Sequence, residues 1–248
     1  MTPIGGATTL VGLLGWPTSH SLSPRMQNAG FAALGLDWAY VPLPTPPEAL
    51  GEAVRGLVAS GFAGANVTIP HKERVTLYCD ELDEIAAAAG SVNTLVLENG
   101  RVLGSSTDGA AVTSQIDARD RHVLILGAGG SAKAVMHAVA AVGTAGIRLS
   151  SRRDGGWPPS GEGVDVLVNC TPLKDELIVM PYPGMQVVDL AYNADGSETA
   201  LVAAARAAGC EIVVDGLDVL LAQGAASFER WTGEPAPLAA MAEALRRS

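Results

Sequence analysis

The chain has 248 residues, 48% of them hydrophobic and 17% charged, a balance that excludes intrinsic disorder and leaves room for one or two folded domains. Sixteen basic against 26 acidic side chains give a formal net charge of -10, a field that repels phosphate polyanions and argues against nucleic acid or anionic lipid as partners. The longest weakly polar stretch, residues 134–147, carries His137 and two glycines and falls short of the roughly 20 residues that cross a bilayer.

In chain order, the N-terminal stretch 1–15 has no basic residue ahead of its apolar run, so it does not read as a secretory signal and a cytoplasmic location is expected. Apolar runs bounded by turn residues predict strands near 9–14, 38–43, 63–67 and 92–97. A helix is expected over 48–60, opened by Pro46 and Pro47, and another over 81–89, closed by Gly90. A second series starts at His122: a strand at 123–126, a glycine turn, a helix over 131–142 and a strand at 147–151. Runs at 164–168, 186–190 and 211–214 extend that sheet, with a helix over 198–208, and the Gly- and Pro-rich segment 154–163 reads as an exposed loop. Alternating strands and helices imply an α/β fold with mostly parallel sheets. Cys79, Cys170 and Cys210 lack the spacing of a metal or redox site and read as reduced, mostly buried thiols.

Gly127-Ala128-Gly129-Gly130-Ser131-Ala132 matches G-x-G-x-x-[GA] between a buried-type strand and a helix. Dinucleotide binding needs that arrangement: one glycine for the tight turn, a second so the backbone can approach a pyrophosphate, and a helix N-terminus whose N–H groups face the anion. At the end of the next strand, where an NAD site would carry an acidic residue, the chain reads Ser151-Arg152-Arg153. Guanidinium groups suit a 2′-phosphate, so NADP is expected over NAD. Two solvated loop arginines are the plain alternative, and Asp154 stands close enough to compete for the ribose.

Asn66-Val67-Thr68-Ile69-Pro70-His71-Lys72 lies where a strand ends and a helix is expected to begin. Lysine is scarce, occurring only at positions 72, 133 and 174 against thirteen arginines. An ammonium can give up its proton where a guanidinium cannot, so Lys72 suits acid–base work; taken alone, a solvated helix-start lysine is the commoner case. Ser19-His20-Ser21-Leu22-Ser23-Pro24 offers hydroxyls, with Ser23 equally able to cap a helix begun by Pro24. Ser91-Val92-Asn93-Thr94 and Thr107-Asp108-Gly109 add an amide and a carboxylate, or simply turn chemistry. Together these groups could grip a polyol bearing an acidic group.

Through these segments the chain resembles the shikimate dehydrogenase family, from about Leu10 to Gly233. Further shared pieces are Gly15-Trp16-Pro17, Asn169-Cys170-Thr171-Pro172, Asp189-Leu190-Ala191-Tyr192, Asp215-Gly216-Leu217 leading to Gln223, and Trp231-Thr232-Gly233. The resemblance implies NADP-linked interconversion of shikimate and 3-dehydroshikimate in aromatic amino-acid biosynthesis, an oxidoreductase acting on a small-molecule substrate. Ser21, Ser23 and Tyr192 would hold the substrate carboxylate. Thr68, Asn93, Asp108 and Gln223 would hold its hydroxyls, and Lys72 and Asp108 would form the catalytic pair. The cofactor would rest on Gly127 through Ala132, Ser151, Arg152, Arg153, Thr171 and Gly216. The implied architecture is two α/β lobes: a substrate domain, 1–115 with 217–248, and a Rossmann-type NADP-binding domain, 116–216, with a cleft between that closes by a hinge. A monomer or homodimer is expected.

The chain departs from the family's usual pattern at Gln27, where histidine is common, at Ser106, where asparagine is common, and at Ser151 and Arg153, which flank the only retained residue of the usual Asn-Arg-Thr. The Ser21-x-Ser23 pattern resembles shikimate-preferring members. A quinate-oxidising relative using NAD, and a non-catalytic metabolite-binding relative, are the competing readings.

Overall fold

In the computed structural model, residues 4–153 and 155–246 are described; Asp154 and the first three positions of the N-terminal stretch lie outside them. Two units divide the chain, one of residues up to Thr107 together with those from Leu221 onward, the other Asp108–Leu220. In chain order the elements are β1 (Thr9–Gly15), α1 (Ser23–Ala33), β2 (Trp38–Pro44), α2 (Leu50–Ala59), β3 (Gly64–Val67), β4 (Glu81–Leu82), α3 (Glu84–Ala89), β5 (Thr94–Glu98), β6 (Arg101–Ser105) and α4 (Asp108–Thr113). They continue with β7 (His122–Leu126), α5 (Gly130–Ala141), β8 (Gly146–Ser150), β9 (Val166–Asn169), β10 (Gln186–Asp189), α6 (Ala200–Ala208), β11 (Ile212–Val214), α7 (Gly216–Thr232) and α8 (Leu238–Arg246).

The first unit is built on a sheet of order β2-β1-β3-β5-β6-β4. Alternation along β1 sends Val11 and Leu13 to a cluster with Phe31, Tyr40, Phe228 and Trp231 on one face, and Leu14 to a cluster with Leu50, Val54, Val67 and Leu95 on the other. Phe31 and Phe228 stack at 5.1 Å between centroids, and Trp231 Nε1 donates to the Leu95 carbonyl at 2.9 Å. These contacts seat the C-terminal part of α7 on the sheet.

This sheet is mixed: β1 pairs parallel with β2 and β3, and β4 with β6, as expected of a mostly parallel sheet, while β5 brings in two antiparallel pairings that the sequence reading did not anticipate. β5 runs antiparallel to both β3 and β6; the β5–β6 pairing follows from Asn99 and Gly100, whose φ of 51° and 78° form the two-residue turn that matches the twist of a hairpin. The stretch expected to be helical over 81–89 divides at Asp83. That residue's side chain accepts from the Ala86 N–H at 2.7 Å and caps a shorter helix, α3, while Glu81–Leu82 pairs with β6.

The second unit carries an all-parallel sheet, β11-β10-β9-β7-β8. Leu124 and Leu126 of β7 pack with Leu167, Val187 and Leu201, each buried leucine contributing about 2 kcal/mol of transfer free energy. The strand order reverses at β7, which has β8 on one side and β9 on the other; ligands collect outside strand ends at such a point. The β8–β9 crossover holds turns and bends and no helix among its described residues, as its Gly-Gly and Pro-Pro pairs lead one to expect.

Candidate active site

In the first unit, the residues after β1 and β3 meet at the strands' carboxyl ends. The Trp16 N–H donates to the Ile69 carbonyl at 3.0 Å and the Thr68 N–H to the Leu14 carbonyl at 2.9 Å. The Ser23 N–H donates to Ser21 Oγ at 3.2 Å. Ser23 does not cap α1: it is the first helical residue, Leu22 occupies the cap position, and Pro24 follows inside the first turn, where its missing N–H costs nothing.

Thr68 and Lys72 are half-buried. Lys72 stands in a turn and not at a helix start; a 3-10 helix begins at Arg74. Its backbone is held from both sides: the Lys72 carbonyl accepts from the Val92 N–H at 2.8 Å, and buried His71 places Nε2 2.7 Å from the Thr45 carbonyl.

Asn93 is 2% exposed, and both ends of its amide are held. Its Nδ2 donates to Thr107 Oγ1 at 2.8 Å, its Oδ1 accepts from the Thr107 N–H at 2.9 Å, and the Thr107 hydroxyl donates to the Gln223 carbonyl at 3.1 Å. Ser227, one turn beyond Gln223, ties α7 to Asn66 and Thr94 at 2.9 and 2.8 Å. Asn93 Nδ2 also reaches Gln223 Oε1 at 3.5 Å; Thr107, expected only as part of a polar segment, and Ser227, absent from the sequence reading of the site, fasten α7 beside Asn93.

In the second unit, Asp108 opens α4, is 5% exposed, and accepts from Ser131 Oγ at 2.9 Å. The domain boundary expected near 115 would leave α4 with the first unit; in the structure it packs on α5 in the second. Gly127 has φ +114°, and a Cβ there would lie 3.3 Å from the Cys170 backbone, so the turn needs glycine on both counts. Ala128 and Gly129 are exposed, Gly130 and Ala132 buried. Gly129 sits at the cap position of α5 without a side-chain cap, with open space where a Cβ would stand. An uncapped helix start facing open space at a strand-order reversal fits a dinucleotide's phosphates.

Beyond β8, Ser151 is buried and its Oγ accepts from the Arg153 N–H at 3.3 Å, while both arginines are exposed. Arg152 donates to Glu176 at 2.6 Å. Thr171 Oγ1 donates to Asn169 Oδ1 at 2.7 Å, and Asn169 Nδ2 donates to Asp189. Burial pushes the Asp189 carboxyl above its ordinary value, opposed by hydrogen bonds from Thr199, Ala191 and Asn169. Lys174 Nζ lies 5.9 Å from the Tyr192 ring centroid. Gly216 begins α7 so close to the Ala191 carbonyl that a Cβ would meet it at 2.2 Å.

The three cysteines form no disulfide and are half-buried, which corrects the expectation of mostly buried thiols; desolvation raises Cys79 to about 11. Among the described residues no helix is long and apolar enough to cross a membrane.

Residues 13–95 match the model of the shikimate dehydrogenase substrate binding domain, and residues 216–246 that of the shikimate 5'-dehydrogenase C-terminal domain. A protein of Rubrobacter xylanophilus named shikimate dehydrogenase (NADP(+)) is 42% identical, over 98% of this chain and 97% of its own. The crystal structure of shikimate dehydrogenase from Aquifex aeolicus superimposes with a TM-score of 0.88 at 31% identity, covering 99% of this chain and 100% of that one. Shikimate 5-dehydrogenase from Thermus thermophilus, solved in complex with NADP(H) and shikimate, gives 0.82 at 28% identity, covering 97% and 99%. A mixed sheet carrying the polar groups of the first unit, a parallel sheet with a glycine turn at its order reversal, and likeness along the whole length lead to one conclusion: the chain belongs to the shikimate dehydrogenase family of oxidoreductases.

Proposed function

We propose that the chain catalyses the NADP-linked interconversion of shikimate and 3-dehydroshikimate. The observation that carries this reading is the 42% identity, over 98% of the chain, to a relative named for that activity. In the first unit Ser21 and Ser23 offer hydroxyls, joined by Tyr192 of the second, to bind the substrate carboxylate. Thr68, Asn93 and Gln223 bind the ring hydroxyls. Asn93 suits this because Thr107 fixes the orientation of its amide before substrate arrives, so little ordering cost remains to be met on binding.

Lys72 and Asp108 are the acid–base pair. In the oxidative direction the proton of the reacting hydroxyl passes to the Lys72 amine, while the Asp108 carboxylate orients the hydroxyl and stabilises the ammonium. In the reductive direction Lys72 returns that proton to the oxygen. The second unit holds NADP on the turn Gly127, Ala128, Gly129, Gly130, Ser131 and Ala132, the phosphates meeting the N–H groups at the start of α5, since the Gly127 N–H already donates to the Ser150 carbonyl, with Thr171 and Gly216 beside it. Ser151, Arg152 and Arg153 read the 2′-phosphate. When bound, NADP supplies the hydride acceptor.

Lys72→Ala tests the assignment. Loss of a positioned proton-transfer group lowers turnover by about 10²–10⁴ fold, with the substrate constant changed far less, because the interaction strengthens in the transition state. An unchanged turnover number would remove Lys72 from the mechanism.

A further inference from the structure

Ser131 lies in the first turn of α5, and its hydroxyl is directed at Asp108 Oδ2, 2.9 Å away. The contact depends on how closely α4 starts against α5. A Cβ on Gly109 would stand 2.6 Å from the Ala134 carbonyl oxygen and 2.7 Å from Ala138 Cβ, so only glycine lets the residue after Asp108 rest on the α5 backbone. Asp108 is 5% exposed. A carboxylate so far from water is stabilised and oriented by donors, and a hydrogen bond to a charged acceptor is roughly twice as strong as a neutral one.

We infer that Ser131 is a positioning residue: its hydroxyl fixes the rotation of the Asp108 carboxylate, so that the helix receiving the cofactor phosphates also sets the orientation of the acid–base carboxylate. The two jobs do not compete, because phosphates are met by the backbone N–H of residue 131 and the carboxylate by its side chain. This inference rests on the reading of Asp108 as one of the acid–base pair. It gives a chemical reason for serine in a turn where the glycine pattern itself asks nothing of that position.

The test measures kcat and KM for Ser131→Ala, Ser131→Thr, Asp108→Asn and the Ser131→Ala/Asp108→Asn double variant, with NADP affinity by calorimetry. Ser131→Ala is expected to lose about tenfold in kcat, the scale of one hydrogen bond to a charged group, with KM and NADP affinity within about twofold of wild type. Ser131→Thr, which keeps the hydroxyl, recovers most of kcat. Asp108→Asn loses about 10²-fold or more, and adding Ser131→Ala to it costs nothing further, as for residues that act as one unit. Wild-type kcat in Ser131→Ala beside a crippled Asp108→Asn overturns the inference. A loss matched by weaker NADP binding, not recovered by threonine, or additive with Asp108→Asn overturns it as well. Wild-type kcat in Asp108→Asn overturns instead the reading on which it stands.

Discussion

Arg152 Nη2 donates to Glu176 Oε2 at 2.6 Å, with the two side chains 57% and 61% exposed. An exposed pair of this kind is worth about 0–1 kcal/mol, so a 2′-phosphate could displace the carboxylate from the guanidinium at small cost. Glu176 nonetheless neutralises part of the charge that would read the phosphate and adds a repelling one. Glu176→Gln is expected to tighten NADP binding by about two- to fivefold and leave NAD binding unchanged, measured by calorimetry at low and high salt. Equal changes for both cofactors would show that the pair has no part in reading the phosphate.

Asp189 carries a carboxyl raised by burial. An acid raised in the folded state is favoured there in its neutral form. Its penalty is therefore absent below the ordinary carboxylate value of 3.8 and grows as pH rises from there through the raised folded value. Asp189→Asn removes the ionisation. Whatever constant offset the changed hydrogen bonds impose, the variant should gain stability relative to wild type as pH rises above about 4. Thermal unfolding across that range checks it, and a difference that does not vary with pH would contradict the burial account.

Ser106 Oγ and Gln27 Oε1 are buried with no hydrogen-bond partner among the described residues. A buried hydroxyl without a partner loses its hydration and regains nothing. Ser106→Ala should consequently be neutral or stabilising by up to about 1 kcal/mol, read from denaturant midpoints at unchanged slope. A clear loss of stability would mean that the hydroxyl is satisfied after all.

Much of the second unit was legible locally. A run of apolar residues, a glycine turn and a helix lie within one stretch of chain, and the parallel sheet follows from their repetition. The β5–β6 hairpin was missed although its signal, Asn99-Gly100, is also local; the apolar run before it looked complete without a partner. The mixed character of the first sheet depends in part on that hairpin. Ser227, and the part Thr107 plays beyond its place in a polar segment, are not legible for a different reason. Thr107 contacts Gln223 116 residues away, and Ser227 contacts Asn66 161 residues away, separations at which side-chain pairing leaves no mark in the order of residues. From sequence Ser131 is one position of a phosphate turn, since nothing local reveals that Gly109 brings its hydroxyl to a carboxylate.

Initial-rate reduction of NADP with shikimate, for wild type and Lys72→Ala, tests the central claim most directly, with NAD and quinate as comparison cofactor and substrate. The account predicts turnover with NADP and shikimate that falls by about 10²-fold or more in the variant. Activity confined to NAD or quinate, turnover indifferent to Lys72, or no turnover with any pair would contradict it.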